Sequence, residues 1–215
     1  MRPELSEATT VALDRYLDEL ARWSANLNLT AIPREQMWPR HIDESLDLLD
    51  VAAPRVGSRV VDIGSGGGVP ALVFAIVRPD LRVTLFESDV RKSGFLMHVA
   101  GLLGLRGVEV EAIRAEDAGR RAGTRESFDL ATSRAAAPPD VLCELALPLL
   151  RIGGTLCALV TDAPLVLASC AVAAAACGGG APNAPANGVL RIEKVARTPA
   201  EYPRRNGVPS RRPIS

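Results

Sequence analysis

Three stretches of this 215-residue chain hold side chains suited to gripping a nucleoside-like ligand. Val60-Val61-Asp62-Ile63 reads as the end of a buried strand, and Gly64, Gly66 and Gly68 then make a tight turn before a helix. A turn without Cβ atoms lets a ligand approach the backbone closely. The dinucleotide fingerprint GxGxxG would place glycine at position 69, where Val69 stands. The form is instead Asp-x-Gly-x-Gly-x-Gly. Glu87 follows the second predicted strand, where a carboxylate accepts hydrogen bonds from both hydroxyls of a ribose diol. Ala115-Glu116-Asp117 follows the third, beside the adenine position of a doubly wound nucleoside site. The fourth ends in Ser133-Arg134-Ala135, so the planar fork of Arg134 points into the cleft mouth, toward a carboxylate or a phosphate.

Other chemistries find little support. His41 and His98 are the two histidines, and neither belongs to a Cys/His cluster, so no metal site is expected. No Ser-His-Asp arrangement is visible. Cys143, Cys157, Cys170 and Cys177 form no CxxC pair and read as packed thiols of a reducing cytosol.

The elements that position these residues follow from periodicity. Leu13, Tyr16, Leu17, Leu20 and Trp23 recur at helical spacing behind a capping Ser6. Residues 26–30 read as a turn, and a second helical segment is expected over 33–50, with Pro39 near its start. From Ser58 strands and helices alternate. Strands are expected at 58–63, 82–86, 108–112, 127–132 and 153–160, with helices at 70–77, 89–103, 138–149 and 164–176. Arg151-Ile152-Gly153-Gly154 reads as a turn launching the fifth strand, and a weaker strand is expected over 189–195. The Gly- and Pro-rich segment 178–188 reads as a mobile loop. The fold class is therefore α/β: a doubly wound, mostly parallel sheet with an N-terminal helical extension.

Formal net charge is zero, which gives no global nucleic-acid footprint. Charge is uneven, however. Residues 191–215 hold seven Lys and Arg against two Glu, a local balance of +5 that suits phosphate contact. The N-terminus has no apolar stretch of a signal peptide, and the longest apolar run, Ala163–Cys177, is too short to span a bilayer. A soluble cytoplasmic protein with no membrane contact is expected.

These pieces together resemble the bacterial glucose-inhibited division protein B family over roughly residues 15–160. The resemblance is carried by Trp23 with Asn28-Leu29-Thr30, by Arg40-His41-Ile42-Asp43 with Ser45, and by Asp62 through Pro70. It continues through Arg78-Pro79, Glu87-Ser88, Lys92, Phe95-Leu96, Phe128-Asp129 and Thr132-Ser133-Arg134-Ala135. Tyr202-Pro203-Arg204-Arg205 and Pro209-Ser210-Arg211-Arg212-Pro213 are similar to the tails of some members. The resemblance implies a class I, Rossmann-like methyltransferase that uses S-adenosylmethionine to methylate N7 of a guanine in small-subunit (16S) ribosomal RNA. It implies a single domain over 1–215, with the helical extension at 1–50, the core at 58–200 and a basic tail at 201–215. The cofactor site would use Gly64, Gly66, Val69, Glu87, Ala115, Glu116 and Arg134. Arg134 also positions the reactants, and no general base is needed because N7 carries a lone pair and no proton. His41, Ser45, Arg204, Arg205, Arg211 and Arg212 are candidates to touch ribosomal RNA or the small subunit, and the protein is expected to act as a monomer.

One departure stands out. The family places a lysine after the fifth strand, where Val160-Thr161-Asp162 stands here, and the two lysines of the chain, Lys92 and Lys194, lie elsewhere. A small-molecule methyltransferase on the same scaffold is the alternative reading. A nicotinamide-dependent oxidoreductase and a non-catalytic RNA- or cofactor-binding protein are further ones.

Overall fold

A computed structural model describes residues 5–161, 163–186 and 188–214. Asp162 of the departure after the fifth strand, Asn187 of the expected loop, residues 1–4 of the extension and Ser215 of the tail lie outside them.

The chain begins with helix α1 (Glu7–Leu27). The Ser6 hydroxyl accepts from Thr9 N at its start, and Asn28, in the left-handed region at φ 48°, closes it by donating N–H to Ser24 O. The helix thus runs into the segment expected as a turn. Next come α2 (Arg34–Met37), one π-helical stretch (Trp38–Asp43) and α3 (Glu44–Ala52). Pro39, which has no N–H to donate, lies within the π-helical stretch, so the segment continues through it with altered phase.

Strand and helix then alternate: β1 (Arg59–Ile63), α4 (Ala71–Val77), β2 (Arg82–Phe86), α5 (Val90–Leu102) and β3 (Val108–Glu111). The chain continues through α6 (Ala115–Ala118), β4 (Phe128–Arg134), α7 (Pro139–Ala146), a 3₁₀ turn (Leu147–Leu149) and β5 (Leu150–Leu159). It ends with α8 (Ala163–Ala176), β6 (Asn183–Ala186), β7 (Val189–Glu193) and α9 (Val208–Arg211).

The strand order is β3-β2-β1-β4-β5-β7-β6. The first five strands run parallel, while β7 lies antiparallel to both β5 and β6. The sheet separates two cores because successive strand side chains face opposite ways. Val60 packs with Leu20, Phe74 and Phe95 under the N-terminal helices, whereas Val61 and Ile63 pack with Phe128, Val141 and Leu156 on the other face. The extension shares the first of these cores with α4 and α5. All four cysteines are buried free thiols.

Three local expectations are corrected. Arg151–Gly154 is not a turn before β5 but its irregular first part. Gly153 takes φ +81°, and between Phe128↔Leu150 and Leu130↔Thr155 β5 advances five residues against two of β4, so the segment bulges out of that ladder. The segment 178–188 is not simply a loop: Asn183–Ala186 pairs with β7 as the edge strand. Pro185 is tolerated there because an edge position needs no donor on its outer side. The helix expected over 138–149 ends at Ala146, and Leu147–Leu149 winds on as a tighter 3₁₀ turn around Pro148.

Candidate active site

Strand order reverses between β1 and β4, and the crevice outside their carboxyl ends is where ligands of open α/β sheets bind. A cavity of about 510 Å³ lies there. Gly64, Gly66, Val69, Glu87, Ala115, Glu116 and Arg134 all line it, so the fold brings together seven residues spread over seventy positions of sequence.

The glycine turn is shaped by contact as well as by backbone angle. Gly64 takes φ +64°, and a Cβ there would lie 2.6 Å from Cβ of Ala136. Four of its amides already have acceptors within the protein. Gly64 N and Ser65 N donate to Phe86 O at 2.9 and 3.2 Å, and Gly68 N donates to Ser65 O at 2.6 Å. Gly66 N donates to Oε2 of Glu87 at 2.9 Å. A pyrophosphate cradle needs such amides free. This turn offers a smooth backbone wall instead, which fits a nucleoside cofactor without phosphate and counts against a nicotinamide dinucleotide.

Glu87 is buried, with Oε1 accepting from Asp89 N at 2.8 Å. Each oxygen keeps a lone pair toward the cavity, the arrangement a ribose diol requires. Glu116, also buried, accepts from Gly207 N at 3.0 Å through Oε1, so the C-terminal segment reaches this end of the cavity.

Beneath the turn, Asp62 is buried and Thr132 Oγ1 donates to its Oδ1 at 2.6 Å across the β1–β4 pair. Burial pushes the Asp62 carboxyl up to about 7. Among the described residues its Oδ2 is the one buried side-chain oxygen or nitrogen without a partner.

Arg134 is held from the N-terminal extension. Its Nη1 donates to Arg40 O at 3.0 Å and lies 2.7 Å from Nδ1 of His41. A guanidinium cannot accept, so Nδ1 must be the acceptor and Nε2 carries the proton, donated to Thr30 Oγ1 at 3.0 Å. Burial first, then the Arg134 charge, pulls the His41 pKa down to about 4, so the ring is neutral at pH 7. Ser45 Oγ donates to His41 O at 2.5 Å.

The expectation that His41 and Ser45 touch RNA is therefore corrected. Both are fully buried and serve to fix Arg134. Arg204 is partly exposed and chelates the buried Glu144, with Nη2 at 2.5 Å from Oε2 and Nε at 2.9 Å from Oε1. Arg205, Arg211 and Arg212 are exposed.

Sequence reasoning missed the contribution of the extension. Tyr16 donates to Gly67 O at 2.8 Å, and a Cβ on Gly67 would lie 2.8 Å from Leu20 and 3.3 Å from Leu29 O. Leu20, Leu29, Thr30 and Ala31 line the cavity. The helical spacing of Tyr16 and Leu20 signals burial but not the surface they are buried against. Lys92, on the first turn of α5, also lines the cavity. Lys194 does not replace the lysine absent after β5, because its Nζ is buried and donates to Leu147 O at 2.7 Å and Cys177 O at 3.2 Å.

Sheet order, glycine turn and acidic strand ends define a class I S-adenosylmethionine-dependent methyltransferase. Solved structures agree at the level of fold. An S-adenosylmethionine-dependent O-methyltransferase from Thermotoga maritima superposes with a TM-score of 0.58 at 14% identity, covering 84% of this chain and 72% of that one. The precorrin-6y C5,15-methyltransferase of Geobacter metallireducens gives 0.52 at 12% identity, over 73% and 88%.

Sequence comparison narrows the class. The family model for rRNA small subunit methyltransferase G, GidB, matches residues 9–171. Proteins named ribosomal RNA small subunit methyltransferase G are 38% identical in Moorella thermoacetica, over 94% of this chain and 89% of that protein, and 41% identical in Chloroflexus aggregans, over 98% and 92%. The chain belongs to the rRNA small subunit methyltransferase G family.

Proposed function

We propose that this protein transfers a methyl group from S-adenosylmethionine to N7 of a guanine in small-subunit (16S) ribosomal RNA. The observation that supports the reading is the cavity at the sheet's reversal point, lined by two buried carboxylates and one anchored arginine, in a chain whose relatives are named for ribosomal RNA. Those relatives do not favour a small-molecule acceptor.

When bound, S-adenosylmethionine supplies an electrophilic methyl on a sulfonium. Glu87 would hold the ribose hydroxyls, Ala115 and Glu116 the adenine, and Arg134 the methionyl carboxylate. Gly64, Gly66 and Val69 shape the wall against which the nucleoside lies. N7 of guanine carries its own lone pair, so the residues need not remove a proton. Their work is to align donor and acceptor and to exclude water. The exposed Arg205, Arg211 and Arg212 offer positive charge to RNA phosphates. We read 1–215 as one methyltransferase domain acting as a monomer in the cytoplasm, with the N-terminal helices forming part of the cofactor site. Among the described residues no helix is long and apolar enough to cross a membrane.

Mapping of N7-methylguanine in ribosomal RNA from cells with and without the protein tests the proposal. One N7-methylguanine should disappear from small-subunit RNA when the protein is removed and return with it. An unchanged methylation map, with transfer to a small acceptor instead, would overturn it.

A further inference from the structure

A second cavity, of about 880 Å³, borders the first, and the two share Arg134 and Ala135. Ala135 holds φ +55° at the junction, a strained backbone of the kind found where function over-determines geometry. The walls of this cavity divide by chemistry. Leu142, Leu159 and Val189 make an apolar side, while Arg40, Glu44 and Asp47 contribute a charged one, on which Glu44 is a carboxylate paired with Arg40 and near Arg134. Arg40 and Glu44 lie four residues apart and share a helix face. The π-helical stretch Trp38–Asp43 sets their phase. It turns His41, Ile42 and Ser45 into the interior and leaves Arg40 and Glu44 on the cavity side. The Glu44 side chain, 38% exposed, is oriented from two sides: Arg40 Nε donates to Oε1 at 2.9 Å, and Nη1 of Arg134 lies 4.0 Å from Oε2. A carboxylate has about four acceptor positions, so these contacts leave capacity toward the cavity.

We infer that Glu44 reads the Watson–Crick edge of an unstacked guanine held in this second cavity. The inference rests on the guanine-N7 reading above. A guanine ring carries N7 and O6 on one edge and the N1–H and N2 amino donors on the other. With N7 turned to the junction at Ala135, the donor edge meets the charged wall, where an anchored carboxylate accepts from both N1–H and N2–H. Adenine presents an acceptor at N1 and no donor at C2, so the same carboxylate rejects it. The leucine and valine side covers the ring face, which suits a chain with few aromatics to stack on bases. Glu44 is thus a specificity-determining residue for the acceptor, and it does not touch the reacting atoms.

The test compares the full-length protein with its Glu44→Ala variant, which removes the acceptor altogether, on small-subunit ribosomal RNA. The RNA carries either guanosine or inosine at the methylated position. Inosine keeps N7, O6 and N1–H but lacks the N2 amino group. The native protein should prefer guanosine by about tenfold in single-turnover rate, the discrimination of one good paired contact. In Glu44→Ala the preference should fall to near one. The ratio is internal to each protein, so a smaller folded fraction does not affect it. A guanosine preference that survives in Glu44→Ala, or a native ratio of one, overturns the role of Glu44 while leaving the N7 reading intact. Absence of N7 transfer by the native protein overturns both.

Discussion

Nη1 of Arg134, at the end of β4, lies 2.7 Å from Nδ1 of His41, 93 positions earlier in the chain. The contact joins the N-terminal helices to the sheet at the border of both cavities. It gives a buried histidine a function that its burial hides from solvent and from RNA.

Replacing His41 by alanine releases Arg134. A hydrogen bond to a charged group contributes about 1.5–3 kcal/mol, so S-adenosylmethionine affinity should fall by about tenfold or more in titration calorimetry. Arg134→Ala should lose at least as much, and the double variant should add little to it. Fully additive losses would show that His41 does not act through Arg134.

Acid stability should tilt in opposite senses in two variants. His41, brought to about 4 from 6.5, refuses a proton in the folded state that the unfolded chain accepts, so its contribution to stability is lost as pH falls from 6.5 to about 4. Asp62, raised to about 7 from 3.8, accepts a proton in the folded state that the unfolded chain does not, so its contribution grows as pH falls through 7. Between pH 4 and 6.5 the two oppose each other. Urea midpoints should therefore drop more steeply with acid in Asp62→Asn than in the native protein, and less steeply in His41→Gln. A profile that tilts the other way in either variant would contradict the assignment of that residue.

Glycine substitutions separate site from scaffold. Gly64→Ala adds a Cβ 2.6 Å from Ala136 at φ +64°. The backbone angle alone costs about 1–2 kcal/mol, and the clash closes the cavity wall. Thermal unfolding should move down, and the rise normally caused by S-adenosylmethionine should vanish. Gly94, inside α5 with open space around its Cβ position, is the control. Gly94→Ala should stabilise by about 0.5–1 kcal/mol with cofactor affinity unchanged.

The basic C-terminal segment does two different jobs. Arg204→Ala strands the buried Glu144 carboxylate, which should cost about 3–5 kcal/mol in chemical denaturation. Replacing Arg205, Arg211 and Arg212 together should leave stability within about 0.5 kcal/mol. The same triple variant should lower the salt slope of RNA binding by about 2, as three lost phosphate contacts imply. An unaltered slope would remove these arginines from the RNA interface.

Much of the core was legible in sequence because its signals are local. A short apolar run marks a strand buried on both faces, such as Arg82–Phe86, and helical spacing fixes the buried face of α1. The glycines preceding α4 and the acid ending β2 mark a nucleoside site because both sit at strand ends, where loops have room to bind. Local signals failed where a partner strand decides the outcome. Asn183–Ala186 is Gly- and Pro-flanked and reads as loop, yet the open edge of β7 supplies the ladder that makes it a strand. Arg151–Gly154 reads as a turn, yet Gly153 N donates to Lys194 O and Lys194 N to Gly154 O, which draws the segment into β5 as a bulge.

The sequence by itself determined the alternation of elements, the class of ligand and the family resemblance, since each is written in neighbouring residues and their spacing. Tertiary structure alone decided which polar groups remain available. It turned His41 and Ser45 inward, tied Arg204 to Glu144, spent three turn amides on Phe86 and Glu87, and set Glu44 on the wall of a second cavity. Hydrogen-bond capacity is finite and burial is a property of the packed chain. A residue's role is therefore settled by the partners that folding brings to it from distant positions.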